Sequence, residues 1–215
     1  MKIWTDENPK AAMMLQKRNA IIEAAGKVFL DSGYLGSSMQ RIADLAGVSI
    51  KTVYRHFENK DDLFVAVIKF ACITFSDDNL DINNEPSWYK LAPAQALKVA
   101  ADSYFRHVID KDHLALFRII NRDSDKFPEL GKKYYQEVTM HRNLRLINYL
   151  EKFNQKYQWE ISNFESASDT FAAIVRGQLF ENLLLGFQSP TEEEIEKHID
   201  FNVELMLYLL EKNKF

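Results

Sequence analysis

No stretch of this chain alternates apolar and polar residues in the two-residue rhythm of a half-buried strand. Apolar residues return instead after three and four positions, the spacing that lines one face of a helix. Ile21, Ala25, Val28 and Phe29 fall at i, i+4, i+7 and i+8. Punctuation is sparse, with seven glycines and five prolines in 215 residues. The chain therefore reads as all-α, built mainly from long helices.

The first helix is predicted from about Pro9 to Asp31, with Gly33 just past its end in the left-handed conformation that glycine adopts cheaply. Ser37 with Gln40 spells a capping box opening a short helix that carries Ile42, Leu45 and Ala46 inward. Gly47 breaks that helix, Ser49 caps a second short one through Phe57, and Asn59 caps a fourth from near Lys60 to about Phe75. A polar stretch from Ser76 to Glu85, followed by Pro86 and Pro93, reads as a loop. Helical patterns then cover roughly 93–110, 112–122, 128–155, 165–187 and 191–213, the last opened by a Thr191–Glu194 capping box. Three compact N-terminal helices thus precede a larger bundle, and the boundary expected is 10–60 against 61–215.

A net charge of −4 argues at first against a nucleic-acid partner. The average hides an asymmetry. Residues 1–60 hold nine Lys and Arg against six Asp and Glu, a net of +3, and the remainder has a net of −7. The N-terminus shows no apolar core of signal-peptide length, and no apolar run is long enough to span a bilayer. The single cysteine, Cys72, permits no intrachain disulfide and reads as a buried thiol in a reducing compartment. A cytoplasmic protein with no membrane partner is expected. Histidines 56, 107, 113, 141 and 198 form no HExxH motif, and neither a phosphate-cradling glycine loop nor a GxSxG elbow occurs. No metal, no cofactor and no enzyme activity are expected.

The strongest local feature is the pair of short helices joined by Ala46-Gly47-Val48-Ser49, the tight turn a helix-turn-helix requires. At about 100° per residue, Ile50, Val53 and Phe57 make one buried stripe on the second helix. Lys51, Thr52 and Arg55 fall on the opposite face, two cations and a hydroxyl suited to base edges and phosphates. Tyr54 and His56 flank that face on opposite sides, where the phosphate walls of a groove would lie.

Residues 33–64, GYLGSSMQRIADLAGVSIKTVYRHFENKDDLF, closely resemble the DNA-binding domain of TetR-family transcriptional regulators. The likeness rests on the glycine–aromatic pair, Ser38, Ile42-Ala43, Ala46-Gly47-Val48-Ser49, Tyr54, His56-Phe57 and Asn59-Lys60 before an acidic pair. It implies phosphate contacts by Tyr54, His56, Lys60 and, from the other side, Ser38. It also implies groove reading by Lys51, Thr52 and Arg55. Ile50 departs from relatives that are basic or small there; it either packs or meets a thymine methyl, and the wheel favours packing.

The same resemblance implies an N-terminal helix-turn-helix domain followed by a larger helical ligand-binding and dimerisation domain. Phe117 to Leu130 is similar to a subgroup with a Phe-Pro-Glu-Leu element. Phe171, Ile174, Val175 and Leu179 face one way on the penultimate helix, and Phe180, Leu183 and Leu184 another. Ile195, Ile199, Val203, Met206 and Leu210 form a second stripe. Such helices must be buried on several sides, either centrally or in a homodimer; the family implies a homodimer through these last two helices. Candidate ligand-binding residues are the aromatics Phe70, Tyr104, Phe105, Phe117, Tyr134 and Phe171, with polar groups from His107, Asn121, His141, Arg176 and Gln178. The expected function is a homodimeric repressor released from a palindromic double-stranded DNA operator by an unidentified small molecule. The alternatives are a regulator without small-molecule control (an activator, or one governed by a protein), and a ligand- or protein-interaction module that no longer binds DNA.

Overall fold

The computed structural model describes residues 9–73 and 85–215. The expected helix end at Phe75, the loop from Ser76 and the environment of the Cys72 thiol lie outside what is described. Helices account for the architecture: α1 (Pro9–Gly36), α2 (Met39–Leu45), α3 (Ile50–His56), α4 (Lys60–Ile73), α5 (Pro93–Ile109), α6 (Lys111–Asp123), α7 (Pro128–Tyr134), α8 (Met140–Tyr157), α9 (Phe164–Leu184) and α10 (Glu192–Glu211). A 3₁₀ turn, Ser87–Lys90, precedes α5. Tyr135–Thr139 forms a wider π turn between α7 and α8, so the helix expected over 128–155 is one path with a bulge in it. No helix among the described residues is long and apolar enough to cross a membrane.

The chain divides into two compact units, residues 1–71 with 115–137, and residues 72–114 with 138–215. In the first, the face predicted on α1 is buried, with Ile21, Ala25 and Phe29 fully inaccessible. Gly33 (φ 68°) ends the regular part of α1 and turns Tyr34 inward. Tyr34 stacks at 6.0 Å on Phe29 and meets Phe64 and Phe127 edge-on at 5.5 and 5.1 Å. One tyrosine thereby ties α1, α4 and the segment before α7 together. Ile42, Val53 and Leu63 complete this core, each fully buried aliphatic side chain contributing about 1.5–3 kcal/mol.

In the second unit the predicted α10 stripe (Ile195, Ile199, Val203, Met206 and Leu210) is buried throughout, and it packs on α5 and α9. Trp88, Tyr89, Tyr149 and Phe153 form an aromatic cluster with ring separations of 4.6–5.6 Å. The helix expected over 165–187 is broken at Gly177 (φ 47°, ψ −159°). His198 fills the gap, its Nε2–H donating to the Val175 carbonyl at 2.6 Å. A Cβ at Gly177 would lie 2.9 Å from His198 Cε1.

Two imidazoles, the half-buried His107 and the buried His113, lie 4.4 Å apart by ring centroid. Burial is the main cause pushing them down, to about 3 and about 4, with the Arg142 charge acting in the same direction.

Two outcomes are expected. Gly177→Ala combines a positive φ with a steric clash and lowers stability by about 1–3 kcal/mol, read by chemical denaturation; an unchanged midpoint would refute the role of the break. The histidine values lie below the unfolded 6.5, so the unfolded chain takes up protons first. Their contribution is therefore whole above pH 6.5 and is lost as pH falls towards 4, by about 2 kcal/mol for each histidine between pH 7 and 5. Replacing both histidines with glutamine should flatten the acid limb of a stability–pH curve.

Candidate nucleic-acid interface

Ser38 stands in extended backbone and its Oγ accepts the Arg41 N–H at 3.2 Å, which makes it the N-cap of α2. The box expected from Ser37 and Gln40 does not form. Ser37 is buried, its Oγ donating to the Tyr34 carbonyl at 2.6 Å, and Gln40 donates outward to Asp44. Gly47 (φ 67°) carries the turn into α3. Nothing lies within 4 Å of where its Cβ would be, so the requirement there is conformational and not steric.

Ser49 caps α3 as expected, accepting from Thr52 N at 3.1 Å. Its hydroxyl also meets Thr52 Oγ1 at 2.8 Å. Val53 is fully buried and Phe57 nearly so, while Lys51, Tyr54 and Arg55 are exposed. Ile50, Thr52 and His56 sit at the margins, half-buried. The wheel expected from spacing holds for Val53, Phe57, Lys51 and Arg55, whereas Ile50, expected inside, and Thr52, expected outside, both lie at the margin. Asn59 caps α4, accepting from Asp62 N at 2.9 Å.

Lys60 has a double occupation. Its ammonium donates to the carbonyls of Tyr34 (2.7 Å) and Ser37 (3.0 Å) and lies 4.3 Å from the centre of the Tyr34 ring. Burial pushes its pKa down, partly offset by Asp123. Two of its three N–H donors are thus engaged within the fold, leaving one for an outside partner.

The acidic pair that follows is turned to internal use. Asp61 accepts the Tyr34 hydroxyl, and Asp62 pairs with Lys133. Arg41 is neutralised by Asp31 at 2.7 Å. Among the described residues, Lys51 and Arg55 have no ion-pair partner. The outward face of α3 therefore keeps its positive charge.

The starts of α2 and α4 and the side of α3 line one open concavity, with Ser38, Tyr54, Glu58, Asn59 and Lys60 among its polar residues and Ile50 among its apolar ones. His56 lies beyond it. Burial, then Arg55, Arg18 and Lys17, push its imidazole below the ordinary histidine range. Lys17 and Arg18 of α1 were not anticipated as neighbours of α3; Arg18 lies 5.1 Å from the centre of the Phe57 ring. Two adjacent cations one turn before the buried Ile21 were the available signal.

The candidate ligand residues are divided between the two units. Phe70, Phe117, Asn121 and Tyr134 belong to the first unit, where the Phe117 and Tyr134 rings lie 6.0 Å apart. Asn121 is exposed and donates to the Phe117 carbonyl at 2.8 Å. Tyr104, Phe105, His107, His141, Phe171, Arg176 and Gln178 belong to the second. Phe105 is fully buried against His198 (4.8 Å), and Phe171 is buried in α9. Arg176 Nε donates to the Ala172 carbonyl at 3.3 Å and Gln178 to Asn182 at 3.0 Å. His141 and Gln178 are exposed. Tyr104 and His107 lie beside Arg142 and His113, two residues that spacing alone did not single out. Among the described residues, no group of three or more His, Cys, Asp or Glu side chains could hold a metal ion.

Residues 21–67 match the family model described as bacterial regulatory proteins of the tetR family, and residues 95–209 match the C-terminal domain of AefR-like transcriptional repressors. The transcriptional activator FasR of Mycolicibacterium smegmatis is 43% identical over 54 residues, a quarter of each chain. A transcriptional regulator of Staphylococcus aureus (strain bovine RF122 / ET3-1) is 30% identical over 124 residues. That match covers 58% of this chain and 64% of the relative, so this chain spans less than two thirds of either protein. Among solved structures, the flavonoid-responsive regulator FrrA is 31% identical with a TM-score of 0.72, covering 90% of this chain and 96% of FrrA. A TetR-family regulator from Mesorhizobium loti MAFF303099 shares the fold at 24% identity and a TM-score of 0.71, covering 91% of this chain and 97% of that one.

Proposed function

The chain belongs to the TetR family of bacterial transcriptional regulators, and from that membership we propose that it is a cytoplasmic, homodimeric repressor which a small-molecule ligand releases from a palindromic operator. Residues 10–60 are the DNA-binding domain and 61–215 the ligand-binding and dimerisation domain. The observation that carries the reading is the outward face of α3, where Lys51 and Arg55 stand exposed beside Tyr54 without a counter-ion among the described residues.

Lys51, Thr52 and Arg55 meet base edges in the major groove. Tyr54, Ser38 and the remaining Lys60 N–H meet phosphates. His56 approaches the other backbone; its Nε2 is buried without a hydrogen-bond partner among the described residues, which leaves Nδ1 for that contact. Two-fold symmetry would set paired α3 helices about 34–36 Å apart.

Dimerisation is supported by apolar surface left open near the chain's end. Phe201 and Tyr208 are 65% and 56% exposed on α10, with half-buried Leu205 between them on the same face, and Leu185 and Phe187 are exposed just past α9. This lies on the outer side of the buried Ile195–Leu210 stripe, so α10 has two apolar faces and one remains to be covered. The small-molecule reading draws on the likeness to a regulator named as flavonoid-responsive, and the repressor reading on the match to AefR-like repressors. FasR, named as an activator, supports a second reading in which the same head recruits transcription.

Selection from a random duplex pool is expected to enrich a palindrome, and failure to do so at moderate salt would defeat the DNA-binding proposal. Arg55→Ala should relax preference at one base position by about 1–3 kcal/mol. Tyr54→Phe and Lys60→Ala should instead weaken all sequences alike, Lys60→Ala flattening the salt slope by about one and also lowering the melting temperature. Phe201→Asp with Tyr208→Asp should convert the dimer to a monomer in light scattering; a dimer unchanged by both would place the interface elsewhere.

A further inference from the structure

Arg142 on α8 is a half-buried cation surrounded by neutral partners. Its Nε and Nη2 donate to Asn143 Oδ1 at 3.1 and 2.9 Å, and its Nη1 donates to the Tyr104 hydroxyl at 3.1 Å. The guanidinium carbon lies 4.5 Å from the centre of the Tyr104 ring. His107 and His113 lie within range of the same charge and are neutral. No carboxylate pairs with Arg142 among the described residues.

A guanidinium taken partly out of water without a counter-charge is unfavourable unless something compensates it. Here the surroundings hold the group in place without neutralising it. Asn143, which fixes one edge, is itself held by Asp169 through its Nδ2 (2.6 Å) and by Ser168, whose hydroxyl donates to the Asn143 carbonyl (3.3 Å). Three of the five guanidinium N–H groups are engaged, leaving one on each terminal nitrogen to donate to an anion. Tyr104, accepting from Arg142, keeps its own hydroxyl proton to donate. A preorganised fork with an aromatic wall is a recognition site for an anion.

We propose that Arg142 and Tyr104 anchor the carboxylate of an organic-acid ligand, whose apolar remainder lies against the aromatic interior of the second unit. The assignment rests on the reading of this chain as ligand-controlled and gives that ligand a chemical class.

The test uses the full-length protein and three acid–amide pairs of matched shape: cinnamate and cinnamamide, 2-naphthoate and 2-naphthamide, decanoate and decanamide. Binding is read by calorimetry and, separately, by release of the selected operator. At least one acid should bind about tenfold or more tightly than its amide, as expected for a charge-assisted hydrogen-bonded pair. Arg142→Gln should abolish that preference. Arg142→Lys, which keeps the charge and guards against a folding defect, should retain part of it, and Tyr104→Phe should reduce it. Equal binding of acid and amide, or a preference untouched by Arg142→Gln in a folded variant, overturns the assignment, as does no binding by any acid. If the preference holds and operator release does not occur, the anion site stands and the ligand-release reading falls. Release by amides as well as acids, unaffected by Arg142→Gln, leaves that reading intact and removes the anion site.

Discussion

Burial of Tyr34 is the constraint on which the DNA-facing geometry depends. Gly33 gives the chain the left-handed residue that swings Tyr34 inward, and Phe29, Phe64 and Phe127 close around its ring. What remains polar is then dealt with locally. Asp61 takes the hydroxyl, and Lys60 takes the carbonyls of Tyr34 and Ser37 while its charge sits over the ring face. The start of α4 is thereby fixed against the segment leading into α2, and both bound the same concavity beside Tyr54. Burying one aromatic residue sets the spacing between the elements that present polar groups outward.

This arrangement also sorts the charges. Acidic residues near the short helices are drawn into internal pairs, Asp31 with Arg41, Asp61 with Tyr34 and Asp62 with Lys133. Lys51 and Arg55 are left uncompensated on α3. A modest surplus of three charges over sixty residues thus becomes a local cationic face on α3, where Lys51 and Arg55 have no ion-pair partner among the described residues. Net charge alone carries no such information.

Local signals in the chain were legible where local chemistry decides the outcome. Ser49, Asn59 and Thr191 cap their helices because an extended residue with a short polar side chain satisfies exposed N–H groups. The face of α3 followed from its period because Val53 and Phe57 must be buried. Where two neighbours carry the same signal, burial decides: Ser38 caps α2 because Ser37 faces the core. The break at Gly177 was hidden because a glycine within an apolar helical pattern has no local mark distinguishing a tolerated residue from a left-handed one. Its partner, His198, lies 21 positions away. The π turn at Tyr135–Thr139 carried no glycine or proline to announce it. The company of Arg142 was hidden likewise, since Tyr104, His113 and Arg142 come from three helices and only packing brings them together.

The same distinction explains why the two ends of the molecule differ in how far they can be read. The α2–α3 segment is a short-range device: its caps, its turn and its outward cations all lie within twenty residues, so periodicity and capping chemistry nearly determine it. A pocket is a long-range device, assembled from side chains whose individual signals are those of ordinary core. Phe105 and Phe171 are aromatic, helical and fully packed, and their spacing resembles that of any buried residue. What separates a recognition group from core is unmet chemical demand, as with a partly desolvated guanidinium whose every described partner is neutral. That property belongs to no residue singly and exists only once the helices have come together.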